Sequence, residues 1–208
     1  MAAQVEVPID DESVAELRDW ASLWGDLLHV EMVLEARSGF ADEAKNLFIR
    51  RGLWESAVIS YGRTAMSGRR EQQIKGLLAE FGQEVQEFHD ELMRWRNHHV
   101  AHRVDDAREQ TEARAIIDTA GEQIKAIRVT VSPTLGPEDE GEEVASRFMG
   151  HVKVLRDLVW TQRLASTEAK AIAVISGRVQ ELSRVTVHSR SIEDRKFSID
   201  LDPRGGNS

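Results

Sequence analysis

Apolar residues recur three and four positions apart over most of the first hundred residues, the spacing of amphipathic helices. Leu17, Trp20, Trp24, Leu27, Leu28, Val30 and Leu34 form the first run. Asp10, Asp11, Glu12 and Ser13 supply capping and acidic groups ahead of it, Ser38-Gly39 closes it, and a helix over about 11–37 is predicted. A second run opens near Ala41 and stops near Ser67-Gly68, carrying Leu47, Phe48, Leu53, Trp54, Ala57, Val58, Tyr61 and Ala65. Between Arg50 and Gly62 it is crowded with apolar and small residues, so this helix is expected to be buried on more than one side. The third run starts near Arg70 and holds Ile74, Leu77, Leu78, Phe81, Val85, Phe88, Leu92 and Trp95. Gly76 and Gly82 weaken its first half and mark a kink or break near Gly82.

The pattern changes after Asp105-Asp106. Ala113–Asp118 and Gln123–Val131 read as strand, turn, strand, with Ile127, Val129 and Val131 alternating onto one face. The alanines of the first half leave helix as the competing reading there. Ser132–Gly141 is an acidic, turn-rich loop. A helix follows from Glu142 to about Thr167 through Val144, Phe148, Val152, Leu155, Leu158, Val159 and Leu164. Ile172, Ile175, Val179 and Leu182 continue a helical pattern from Glu168 to Arg184. Val185–His188 and Lys196–Asp200 have weak strand character, and Pro203–Ser208 is expected to fray. The whole reads as a mainly α protein, an antiparallel helical bundle with an added β-hairpin. It is expected to be a single domain over 1–208, with a helical core over about 10–105, the hairpin over about 113–131 and a C-terminal helical segment over about 138–184.

Composition narrows the chemistry. Hydrophobic residues at 41 % and charged residues at 30 % of 208 allow a packed core. With no cysteine, disulfides, thiolate zinc sites and cysteine nucleophiles are excluded. The opening residues have neither a basic flank nor an apolar core, and no apolar run is long enough to span a bilayer. A cytoplasmic protein without membrane contact is the expectation. A net charge of −9 argues against general coating of duplexes, while leaving room for a local basic site that handles RNA. The five tryptophans lie inside helical patterns and are expected in the core or an interface.

One stretch stands apart from this acidic background. Arg94-Trp95-Arg96-Asn97-His98-His99-Val100-Ala101-His102-Arg103 holds three of the seven histidines and three arginines, at the end of the third helical run. Arg96 and His102 stand in an Arg-x5-His spacing, with Asn97 directly after the arginine and Ala101 before the histidine. On this motif, and loosely on the preceding helix from Leu47 to Met66, the chain resembles the HEPN superfamily, in particular its abortive-infection branch. The resemblance covers about 40–110. It implies metal-independent cleavage of RNA, in which a 2′-hydroxyl attacks the adjacent phosphate and leaves a cyclic phosphate end. It further implies a toxin or phage-defence effector, a homodimer with a composite site, and an antitoxin protein as a further partner. In this reading His102 is the general acid or base, Arg96 stabilises the phosphate in the transition state, and Asn97 orients the substrate or the other two. His98 and Arg103 would assist in binding the substrate. No metal and no cofactor is assigned.

Geometry sets a condition on this reading. At about 100° per residue, six steps leave Arg96 and His102 roughly 120° apart around a regular helix, on opposite margins of the apolar stripe. Either the helix ends or distorts near His98, or two subunits pair along this face and each contributes half a site. The resemblance favours the second. The plainer account of both residues is that cations near a helix C-terminus complement its dipole. His99 continues the apolar stripe and is expected in the core. His98 and His102, or His99 and His102, have a metal-compatible spacing, but no carboxylate stands at Glu-x-x-His spacing to either. His29, His89, His151 and His188 are isolated in sequence and read as structural or solvated. The acidic run from Glu138 to Glu143 reads as a solvated helix start, or as a shield for the basic cluster. No phosphate-binding glycine loop, dinucleotide fingerprint or nucleophile elbow occurs. The alternative function is a non-catalytic module of the same fold that binds RNA, a nucleotide or a protein.

Overall fold

The computed structural model describes residues 9, 12–66, 68–100, 110–118, 123–132 and 141–178. These are mostly helical, with one small sheet. After a 3-10 turn at Glu12–Val14, α1 runs Ala15–Ser38 and α2 Leu47–Ala65. Then come α3 at Gly68–Leu78, α4 at Gln83–Arg94 and a π-helical turn at Trp95–Val100. The strands β1 (Gln110–Asp118) and β2 (Gln123–Ser132) precede α5 at Gly141–Leu158. A second π-helical turn at Val159–Leu164 leads into α6 at Ala165–Ser176. The weak strand character at Val185–His188 and Lys196–Asp200, and the helical pattern beyond Arg178, lie outside the described residues.

Contacts group the chain into two compact units, Leu27–Lys153 and a second made of Met1–Asp26 with Val154–Ser208. In the larger unit the buried residues follow helical spacing. They are Leu27, Val30 and Leu34 of α1, Trp54, Ala57, Val58 and Tyr61 of α2, and Ile74, Leu77 and Leu78 of α3. Phe88 and Leu92 of α4, Trp95 after it, and Val144, Phe148 and Val152 of α5 complete the set. Aromatic rings join these stripes edge to face. Trp54 meets Trp95 at 5.9 Å and Phe148 at 5.7 Å between centroids, and Tyr61 meets Phe148 at 5.4 Å. Such geometry sets the positive edge of one ring against the negative face of the next.

The middle helix is the most enclosed, as its crowding predicts: Arg50, Trp54, Ala57, Val58, Tyr61, Gly62, Thr64 and Ala65 are all buried. Phe48 departs from the expected stripe and is 76 % exposed. It stands six positions before Trp54, which turns it roughly 120° away around the helix. Arg50, 3 % exposed, donates from Nη1 to the carbonyl of Phe40 and so ties the loop after α1 to the start of α2. The break anticipated near Gly82 is real. α3 closes through i→i+3 bonds from Glu80 to Leu77 and from Phe81 to Leu78, and the Gln86 side chain also donates to the Leu78 carbonyl. Gly68 opens α3 at φ 33°, a left-handed conformation in which a Cβ would be strained.

The hairpin forms where alternation places it, and β1 starts three residues earlier than the sequence pattern marks. Ala113 pairs with Val129 and Ala115 with Ile127, with an irregularity in register between Ile116 and Ile117. Cross-strand pairing with Val and Ile overrides the helical preference of the alanines.

In the smaller unit Val14, Trp20, Leu23, Leu155, Val159, Leu164 and Ala171 are buried. Trp24 leans on Trp160 at 5.5 Å, and the Arg163 guanidinium lies 5.6 Å from the centre of the Trp20 ring. Thr167 is buried, and its hydroxyl is satisfied by the carbonyls of Arg163 and Leu164.

Trp54 packs against two aromatic rings, Trp95 and Phe148, and is 2 % exposed. Trp54→Ala is expected to lower unfolding stability by about 3–5 kcal/mol, read as a fall in the urea midpoint. Phe48→Ala, on the exposed side of the same helix, should move it by less than about 0.5 kcal/mol.

Candidate functional site

The basic cluster begins where α4 stops being an α-helix. Phe88, Leu92 and Trp95 commit one face of this segment to the core, and all three are at most 5 % exposed. Arg96 follows directly and sits at the margin of that face, half-buried. The turn that carries it is π-helical from Trp95 to Val100, so its backbone bonds span five residues instead of four. The regular-helix geometry assumed for Arg96 therefore ends at Arg94. Of the two ways to bring the motif together, a distortion of the helix is present, and it begins three residues before His98.

Two contacts place Arg96. Its side chain crosses α2 at Gly62: a Cβ built there would lie 2.8 Å from Arg96 Cγ, 3.2 Å from Cδ and 3.4 Å from Nε. The absent side chain of Gly62 is the space through which the arginine stem passes. At the far end, Nη1 donates to Asn97 Oδ1 at 2.9 Å. The amide thus holds one edge of the guanidinium, whose fork carries five N–H donors in all. Arg96 and Asn97, neighbours in sequence, are thus hydrogen-bonded to each other. His98 contributes its backbone to the π-helical turn, while its side chain, and all of His102 and Arg103, lie outside the described residues. So does the His99 side chain.

One residue before Gly62, the same helix carries a polar network that the sequence reading missed. The Tyr61 hydroxyl lies 2.7 Å from His89 Nδ1 and 2.7 Å from His151 Nε2. His89 and His151 are therefore not isolated; they meet across the core, from α4 and α5, at the only tyrosine of the chain. All three residues are buried. A phenol donates one hydrogen bond and accepts others, so it gives its proton to one imidazole and takes the N–H of the other. The signal was present in the sequence. Tyr61 lies within the α2 stripe, His89 follows Phe88, and His151 stands three residues after Phe148, next to Val152. A tyrosine within an apolar stripe needs a partner for its hydroxyl, and stripe-edge histidines on other helices are the candidates.

Burial sets the protonation of this network. It pushes the Tyr61 hydroxyl far above its ordinary value, with the Asp90 carboxylate adding to the effect. It pushes His151 down to about 4, helped by His89 and the Arg147 guanidinium. His89 is lowered by burial, against an opposing pull from Asp90, with Lys75 adding a smaller lowering effect. Burial thus favours the neutral form of all three groups near pH 7. Arg147 lies 4.2 Å from the centre of the Phe88 ring and 3.7 Å from Glu84, linking α5 to α4 beside it.

Among the described residues no group of three or more His, Cys, Asp or Glu side chains is arranged to hold a metal ion. Among them, too, no helix is long and apolar enough to cross a membrane. Comparisons with protein-family models, with curated proteins and with solved structures found no match to this chain.

Two predictions follow from this geometry. His151 binds its proton less readily in the folded chain than in the unfolded one, so stability is present in full above about pH 6.5 and is lost as pH falls toward about 4. The loss from this residue is on the order of 3 kcal/mol, measured as urea midpoints across that window, and His151→Phe removes its share of the slope. Gly62→Ala should cost about 1–3 kcal/mol by driving a methyl into the Arg96 stem. Gly52→Ala in the same helix, where no atom lies within 4 Å of the new carbon, should instead stabilise by about 0.5–1 kcal/mol.

Proposed function

We propose that this chain is a metal-independent endoribonuclease of HEPN type, acting in the cytoplasm as a toxin or phage-defence effector. The observation that carries the reading is the Arg96–Asn97 pair, in which a half-buried guanidinium is held by an amide at 2.9 Å and by a glycine beneath its stem. A cation aimed in this way is what a phosphoryl transition state needs, because its charge grows on oxygens that water alone stabilises less well. Exposed Arg63 and Arg94 stand beside Gly62 and Arg96 in sequence, adding local positive charge in a chain of net charge −9.

In the reaction, a base removes the proton of the RNA 2′-hydroxyl and the oxygen attacks the neighbouring phosphorus. The 5′-oxygen of the next nucleotide then leaves with a proton from an acid. The products are a cyclic phosphate and a 5′-hydroxyl. His102 is the proton carrier, since imidazole changes protonation near neutral pH. Arg96 neutralises the phosphorane, Asn97 orients Arg96, and His98 and Arg103 bind flanking RNA. No metal and no cofactor enters these steps. The site is composite in a homodimer, with an antitoxin protein as its restraint.

The second reading is a non-catalytic module that binds RNA, a nucleotide or a protein through the same basic cluster, and the acidic net charge favours it. Cleavage of a mixed RNA pool in EDTA separates the two. Wild type is expected to cut and to leave cyclic phosphate ends, while Arg96→Ala and His102→Ala, still folded, should lose about 10²-fold or more in rate. A folded wild-type chain that cuts none of many RNAs sinks the nuclease and leaves the binding module.

A further inference from the structure

The hairpin is the part of the larger unit that the described fold leaves uncovered. Every side chain of residues 112–116 and 126–130 is exposed, Ile127 at 68 % and Val129 at 59 %. Among the described residues the sheet has two strands. Such a ribbon is marginal in water, and stability needs three or more strands with an apolar face. β1 is nine residues long, with no proline, lysine or glycine in Gln110–Asp118 to discourage pairing along its edge.

The charges on β1 say what it pairs with. Glu112 and Arg114 stand on one face, either side of Ala113, and are ion-paired at 2.7 Å. The hairpin register sets Arg128 directly opposite Arg114, a like-charge pair that is unfavourable as it stands. β2 carries Lys125 and Arg128 with no acid, so its own edge cannot complement itself. We propose that β1 pairs antiparallel with β1 of a second copy of this chain, about a two-fold axis at Ala113, to make a four-stranded sheet. In that register Glu112 faces Arg114 of the second copy and Arg114 faces its Glu112, so one axis yields two ion pairs. Arg114 thereby gains a carboxylate on the side away from Arg128. Centring the axis on Glu112 or on Arg114 would instead set like charges face to face. Opposed residues of an antiparallel pair share a face, so Ala113, Ala115, Ile127 and Val129 of both copies line one side of the sheet. The backbone edge supplies the hydrogen bonds and the charges supply the register. This pairing rests on the homodimer of the proposed function and puts the contact between the two copies on β1; mass and RNA cleavage are read separately, so either can fail alone.

The test is the mass of the full chain in solution, by light scattering or sedimentation, beside its helical circular dichroism. Wild type is expected at twice the chain mass. Glu112→Arg alone and Arg114→Glu alone should each fall to the chain mass with helical content unchanged, because each sets like charges opposite one another twice. An equimolar mixture of the two variants should return to twice the chain mass, since every arginine then meets a glutamate on the other chain. The exchange Glu112→Arg with Arg114→Glu in one chain should also dimerise. Loss of a contact within one chain cannot produce rescue by mixing. A monomeric wild type, which would leave the edge to a different protein, overturns the proposal, as do single variants that stay dimeric or a mixture that stays monomeric.

Discussion

A phenol enclosed in a helical core must find a donor and an acceptor there, and in this protein the requirement is met by two imidazoles on two other helices. Tyr61 of α2 lies 2.7 Å from both His89 of α4 and His151 of α5, with all three side chains buried. Apolar stripes alone allow helices to slide, because a leucine packs acceptably against several neighbours. A hydroxyl between two ring nitrogens does not tolerate such a shift, since a misplaced helix would leave buried polar atoms without partners. The aromatic contacts of Phe148 with Trp54 and Tyr61 surround this point and keep water from it.

The basic cluster inherits its geometry from that register. Gly62 is the neighbour of Tyr61, and Arg96 is seven residues, about two turns, beyond His89. Gly62, next to Tyr61 on α2, lies against Arg96, and the missing side chain of the one admits the stem of the other. The π-helical turn lets the chain leave the core face at this place without losing its backbone hydrogen bonds. The network and the glycine beneath Arg96 are thus adjacent residues of one helix, α2.

Electrostatics divides the larger unit differently. A chain of net charge −9 disperses its acids over exposed faces, while cations recur at the end of α4 and along the hairpin. On the hairpin Arg114 is ion-paired with Glu112 on its own strand and stands opposite Arg128 on the other.

The sequence by itself determined the helical elements, the hairpin and the break near Gly82, because each rests on local periodicity, on turn residues or on the low helix preference of glycine. It also singled out Arg96 and Asn97 by their spacing. What it could not deliver was the pairing of elements. His89 and His151 looked isolated because their partner is 28 and 90 residues from them, and hydrogen bonds at such separations leave no local pattern. Phe48 looked like core because periodicity does not say which side of a helix will be covered. Gly62 looked like one small residue among several until Arg96 was laid across it. Only the tertiary structure decided these, since which buried hydroxyl meets which imidazole, and which glycine lies under which arginine, follows from helix register in space and not from the order of residues along the chain.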